Sequence, residues 1–279
     1  PGAGPPRLFG PGDQKDLGWQ YPPRFPGGGT GSAVKNLHAV LFCLIMVLIQ
    51  AGCREPEEII LTENSIPGLS ILLPPQPTIV QKFAAGEIVK YLHGISGADF
   101  EIIKRKRDLT GRYIELCLDN AEPEDGYTII SDAQNIRLTG NSDRAILYSV
   151  YDFLERLGCK FLAPEFSYYH GHAEIVPSEP DLTFRANEKI VREPVFTYRK
   201  LDMAEGRSID VEGLLKIIDW MPKNRLNTLM IPMNMNNRDN MVWDSLRMVI
   251  PEIEKRDIIL EVGQHGYQNF LNAAMEDGS

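Results

Sequence analysis

The sequence predicts an α/β protein built from two folded units, and three observations carry that prediction. Over residues 57–185, short apolar runs bounded by turn residues share the chain with two helical stretches. From Glu193 onward, strand-like and helix-like runs alternate regularly. Within that part, Asn227–Met233 and Ile258–Val262 are near-continuous apolar runs, the kind that a parallel sheet buries on both faces. The 279 residues, 43% hydrophobic and 24% charged, supply enough apolar material for a core. A formal net charge of -9 leaves no electrostatic footprint for nucleic acid, which is excluded as a partner. The basic run Lys104–Arg107, followed by Asp108, reads as a solvated strand end. Neutral polar substrates, sugars among them, suit this balance.

The first fifty residues read as addressing. Residues 1–33 are crowded with Pro and Gly and cannot bury enough apolar surface to order themselves, so disorder is expected there. Residues 34–53 read as a signal peptide: Lys35 in a charged start, the apolar run Ala39–Ile49, then Gln50-Ala51-Gly52-Cys53. The run falls well short of the ~20 residues of a membrane-spanning helix. Ala51-Gly52-Cys53 resembles a bacterial lipoprotein box, with Gln50 where an aliphatic residue is usual. Cys53 is therefore the expected lipidation site, a lipid anchor the expected membrane contact, and export to the periplasm, outer membrane or medium the expected destination. Translation is expected to start at Val34, with residues 1–33 as upstream sequence or a cloning remnant. The other cysteines, Cys117 and Cys159, are read as free thiols; a bridge between them stays open.

In the first unit, Glu58–Leu61 and Leu69–Leu73 are strands with a turn expected at Ile66-Pro67-Gly68. Thr78 caps a helix over Ile79–Ile95, whose Phe83, Ala84, Ile88, Tyr91 and Leu92 share one face, and Ser96-Gly97 ends it. Strands follow at Phe100–Ile103, Tyr113–Leu118, Tyr127–Ser131 and Ile136–Thr139, the last two as a hairpin. Asp143 is expected to cap a second helix, Arg144–Leu157, stopped by Gly158. His170 and His172 form a tempting metal pair, but no third and fourth ligand is evident, so they read as loop histidines and no metal is expected.

In the second unit, Val195–Leu201 is extended and Asp210 caps a helix over Val211–Lys223. Asn227–Met233 is a buried strand, Val242–Lys255 a helix interrupted at Pro251, and Ile258–Val262 another strand. This β-α-β-α-β series predicts a parallel sheet, either a barrel or a doubly wound one.

Several stretches carry a family resemblance. Phe83-Ala84-Ala85-Gly86-Glu87-Ile88, and Asp125-Gly126-Tyr127 leading to the run from Asn141-Ser142-Asp143-Arg144 to Phe153-Leu154-Glu155, resemble the accessory domain that precedes the barrel of β-N-acetylhexosaminidases and α-glucuronidases. Phe153–Phe161 with Ala163-Pro164-Glu165 leans toward the α-glucuronidases. Phe196-Thr197-Tyr198-Arg199 and Asp257–Gly266 resemble the opening and the third strand of a hexosaminidase-type barrel. The resemblance implies an α+β accessory domain over residues 57–185, a sheet with two covering helices, followed over 193–279 by an incomplete (β/α)₈ barrel. It also implies that Arg199 and His265 contact sugar at the C-terminal ends of strands, where this fold keeps its active sites. For Arg199 an ion pair with Asp202 or Glu205 stays open, and for His265 a plain turn role. The second strand departs from the hexosaminidase pattern, running into Pro232-Met233-Asn234-Met235-Asn236-Asn237. Asn234 and Asn236 are candidate sugar ligands, with an exposed Asn-rich loop as the alternative.

Glycoside hydrolysis normally needs two carboxyl groups flanking the bond. In the enzymes resembled these follow the third strand, so the acid pair is expected beyond Ser279 and no cofactor is implied. The expectation is the front part of an exported glycosidase acting on oligo- or polysaccharides. The alternative is a non-catalytic carbohydrate-binding module of a surface lipoprotein, which should present aromatic platforms; Trp220 and Trp243 fall in helical segments instead. A phosphate-binding doubly wound domain needs a richer Gly turn than Gly263-Gln264-His265-Gly266.

Overall fold

The computed structural model describes residues 57–109, 111–121, 123–202, 210–232 and 240–263. Residues 1–33, the segment 34–53 with Cys53, and Asn234, Asn236 and His265 lie outside the described residues.

The chain begins with a hairpin of β1 (Glu58–Glu63) and β2 (Ile66–Pro67), then β3 (Leu69–Leu72). The turn expected at Ile66–Gly68 lies earlier, at Asn64 and Ser65, both left-handed at φ 51° and 61°. A two-residue hairpin loop needs positive φ at both central residues to match strand twist. Gly68 serves another purpose: a Cβ there would lie 2.9 Å from the Ile60 carbonyl oxygen.

Helix α1 (Ile79–Ser96) follows the sequence reading closely. Thr78 and Gln81 form a reciprocal capping box, and Gly97 closes the helix at φ 73°. After β4 (Ile102–Ile103) come β5 (Arg112–Leu118), β6 (Tyr127–Ser131), β7 (Ile136–Gly140) and α2 (Asp143–Arg156). The strand expected over Phe100–Ile103 shrinks to two residues, because Phe100 is drawn into the core as part of the connection. The α2 cap is Ser142, whose hydroxyl accepts from the Ala145 amide. Asp143 instead accepts from the Gln81 side-chain amide at 2.8 Å, joining the starts of the two helices.

Two-residue strands β8 (Lys160–Phe161) and β9 (Glu174–Ile175) pair with each other, and β10 (Leu182–Arg185) returns beside β1. Strand β11 (Lys189–Arg192) completes a six-stranded mixed sheet in the order β11-β6-β7-β5-β3-β4. Both helices pack on this sheet in one core that also takes Ile59, Leu61, Leu182 and Phe184 from the smaller sheet. Cys159 is buried and Cys117 half-buried, and both are free.

The remaining chain forms β12 (Lys200–Asp202), α3 (Val211–Lys223), β13 (Thr228–Pro232), α4 (Asn240–Glu254) and β14 (Ile259–Gly263). The three strands are parallel in sequence order, with Lys200 opposite Thr228 and Thr228 opposite Ile259. Asp210 caps α3 through the Gly213 amide at 2.7 Å. Helix α4 runs through Pro251 without the expected interruption. Proline there forfeits one backbone bond, while its own carbonyl still accepts from Lys255 at 3.2 Å. Leu214, Ile218 and Met221 of α3 and Val249 and Ile253 of α4 pack on Leu229 and Ile231 of β13. By the two-residue period of a strand, the opposite face carries Lys200, Thr228, Met230, Ile259 and Glu261.

Candidate functional site

The parallel order of β12, β13 and β14 puts their C-terminal ends on one edge, at Asp202, Pro232 and Gly263. An α/β sheet offers ligands that edge because the loops leaving it converge there. The chain leaving β13 continues into Asn234 and Asn236, and the chain leaving β14 into His265. On the sheet face below that edge Lys200 Nζ donates to Glu261 at 2.9 Å, spanning from β12 to β14.

Arg199 is at the other end. The extended segment expected over Val195–Leu201 becomes a strand only at Lys200, so Arg199 precedes β12 and lies at the N-terminal edge. Asn227 precedes β13 and Asp257 lies two residues ahead of β14, so all three share that edge. The sequence-based expectation that Arg199 lies at a C-terminal strand end is corrected accordingly. Among the described residues Arg199 forms an ion pair with Asp125.

The centre of this N-terminal site is Asp125, in the loop before β6 and 6% exposed. Its carboxylate accepts from Arg199 Nη2 at 2.6 Å, Arg144 Nε at 2.9 Å and Asn227 Nδ2 at 2.9 Å. Arg199 spends its other donors on the Arg225 carbonyl at 2.6 Å and the Phe196 carbonyl at 2.7 Å. The Arg199 amide donates to Asn227 Oδ1 at 2.9 Å, and Arg144 Nη1 donates to the Asp257 carbonyl at 2.8 Å. The Arg199 guanidinium lies over the Tyr148 ring, 5.6 Å from its centroid. Burial alone would push the Asp125 carboxyl up, but the two guanidinium groups and the Asn227 amide outweigh it and hold it below the usual carboxylate range. A site whose donors are all engaged is a fastening between the six-stranded sheet's loops and the foot of the parallel sheet.

A second buried ionic cluster joins β9 to α3 and α4. Lys223, 1% exposed, donates to Glu174 and Asp219. Arg256 pairs with Asp219 and Glu252, each at 2.6 Å. Asp219 is also held below the usual carboxylate range, Lys223 and Arg256 together overcoming the effect of burial.

Sequence reasoning missed Asp125, Arg144 and Asn227 as a unit. Their partners lie 19 to 102 residues apart, so no local spacing betrays them. Asp125 and Arg144 do fall inside the stretches that carry the family resemblance, which was the available signal. His170 and His172 gather no ligand set: among the described residues no group of three or more His, Cys, Asp or Glu is arranged for a metal. Among the described residues, no helix is long and apolar enough to cross a membrane. Burial pushes the Cys117 and Cys159 thiols up to about 11 and about 12, so both stay protonated at neutral pH.

The sequence matches no family model and no curated protein. Solved structures do match the fold. A β-N-acetylhexosaminidase of family GH20 from Streptomyces coelicolor superposes with a TM-score of 0.51 at 15% identity, over 75% of this chain and 43% of that one. A Streptomyces plicatus β-hexosaminidase variant in complex with its product GlcNAc gives 0.51 at 13% identity, over 74% and 42%. A family GH115 4-O-methyl-α-glucuronidase with specificity for decorated arabinogalactans gives 0.53 at 10% identity, over 74% and 29%. The chain therefore spans less than half the length of each of these three. At such identities the likeness is one of architecture: the described residues have a glycoside hydrolase-like fold.

Proposed function

We propose that this chain is the front part of a glycoside hydrolase acting on oligo- or polysaccharides, hexosaminidase- or glucuronidase-like. The observation that carries the reading is the pairing of a mixed-sheet layer with a parallel β12-β13-β14 sheet, superposable on enzymes of both kinds. In this reading residues 193–279 open a (β/α)₈ barrel, and substrate meets the edge formed by Asp202, Pro232 and Gly263. Asn234, Asn236 and His265 contact sugar hydroxyls there. Arg199 supports that edge from the opposite end of the sheet. The two catalytic carboxyl groups lie C-terminal to Ser279.

Expression of the longer reading frame, beside the 279-residue chain, tests this with chromogenic N-acetylhexosaminides and glucuronides. Hydrolysis by the longer protein and none by the shorter is the expected result. Turnover by the 279-residue chain, or a longer frame lacking an acidic pair after a fourth strand, overturns the reading. The same reading places the protein at a bacterial envelope through acylated Cys53. Cys53→Ala should then abolish acyl labelling and release the protein from the membrane fraction; unchanged fractionation without labelling contradicts the anchor.

A further inference from the structure

The connection between β8 and β9 is a twelve-residue loop, Leu162–Ala173, closed at its base by the Leu162 amide donating to the Ala173 carbonyl at 2.8 Å. Compact loops with adjoining ends and side chains packed on one another are frequent carriers of function. Three aromatic rings crowd this one. Phe166 stacks on Tyr168 with centroids 5.0 Å apart and planes 11° from parallel, and Tyr169 leans against both. Phe166 is accounted for by packing, since it covers the core beneath α3 and α4. The two tyrosines are not: Tyr168 is 66% exposed and Tyr169 43%. Large aromatic groups held together and presented to solvent are costly to keep unless something binds them.

Two clefts adjoin the loop, of about 340 and 450 Å³, and they share Glu165, Glu174 and Asp219 as walls. Tyr169 and His172 line the first, Trp220 the second. The Trp220 indole is fixed by its N–H donating to the Phe161 carbonyl at 3.3 Å. Beneath both runs the Lys223–Asp219–Arg256–Glu252 cluster, so the charges of the floor are neutralised by one another and call for no charged ligand. Glu174 pairs with Lys223 and Asp219 with both Lys223 and Arg256, yet a carboxylate has about four lone-pair sites, so these two and Glu165 can accept hydrogen bonds from hydroxyl groups. An aromatic rim above a neutralised, acceptor-rich floor suits a ligand with apolar C–H faces and many hydroxyls.

We propose that the Leu162–Ala173 loop, with Tyr168 and Tyr169 as its platform and the clefts bounded by Glu174 and Asp219, is a carbohydrate-binding site for neutral oligosaccharides, separate from the site of hydrolysis. It lies on the Glu174–Asp219 side of α3 and uses none of the residues at the C-terminal strand edge. The site goes beyond the glycosidase reading and fails separately from it. Binding here requires no acid pair, and hydrolysis by a longer chain requires neither tyrosine.

Titration of the 279-residue protein with N-acetylchitohexaose, xylohexaose and a galactan-derived hexasaccharide, read by calorimetry and by Trp fluorescence, tests the site. Saturable binding of at least one of these is expected, insensitive to added salt because the ligand is uncharged. Tyr168→Ala with Tyr169→Ala should weaken it by about tenfold or more. Tyr168→Phe, which keeps the ring, should leave it within about twofold. Circular dichroism of each variant confirms that the fold is retained. The proposal is overturned by no binding of any of the three, by binding that survives loss of both rings, or by affinity that collapses with salt. It is also overturned if removing the rings changes the sedimentation of the sugar-free protein instead, because the patch is then a self-association surface.

Discussion

Asp125 shows how much one side chain can organise. Three donors from three separate parts of the chain converge on a carboxylate that is almost wholly buried. Removing the acceptor strands two guanidinium groups, and breaking a buried ionic contact from one side typically costs about 3–5 kcal/mol. Asp125→Ala should therefore lower the melting temperature by roughly 10 °C, given about 2–4 °C per kcal/mol for a protein of this size. The pH dependence follows from the sign of the shift. The folded pKa of Asp125 is depressed, so its stabilisation is complete above the ordinary carboxylate pKa of about 3.9 and disappears as pH falls through the lower folded value. Asp125→Asn should thus be less stable than the parent at neutral pH, with the gap closing in acid. A gap that stays constant from neutral pH down to acid unfolding would show that the charge of Asp125 contributes nothing. None of this was legible from sequence, where Arg199 offered only nearby Asp202 or Glu205 as partners. The described carboxylate partner, Asp125, lies 74 residues away.

At the scale of the element, legibility followed local chemistry. Helices α1 and α3 were readable almost to the residue because their caps, Thr78 and Asp210, and their apolar stripes are encoded within one short window. Strands β2, β8 and β9 were missed, since two residues carry no period and exist only through partners elsewhere. Strand β11 lies between the two units expected from sequence, and its pairing with β6 extends the first sheet to Arg192. Gly140 illustrates a constraint invisible in one dimension. It ends β7 where α2 begins, and a Cβ there would come within 2.2 Å of the Ile146 amide nitrogen and 2.6 Å of the Ala145 carbonyl carbon. Both obstacles are backbone, so neither can rotate away. Gly140→Ala should force β7 and α2 apart and destabilise by about 3 kcal/mol or more, beyond the range of ordinary surface changes. Chemical denaturation checks this. A loss under about 1 kcal/mol would mean that the strand–helix junction is loose.

For the molecule as a whole, the run of parallel strands was readable, while the way that sheet is fastened to the mixed sheet was not. The glycosidase reading separates the two ends of the β12-β13-β14 sheet by task. The N-terminal end, with Arg199 locked between Asp125, Arg225 and Phe196, holds the structure together. We propose that the C-terminal end, from which Asn234, Asn236 and His265 continue in sequence, meets the substrate. The most direct measurement compares Arg199→Ala and His265→Ala in the longer reading frame, recording melting temperature and kcat/KM side by side. The account predicts that Arg199→Ala lowers the melting temperature while folded enzyme keeps kcat/KM within a few-fold, and that His265→Ala does the reverse, losing about 100-fold in kcat/KM with little change in stability. Loss of turnover by a fully stable Arg199→Ala protein, with His265→Ala unaffected, would contradict the assignment of the two ends.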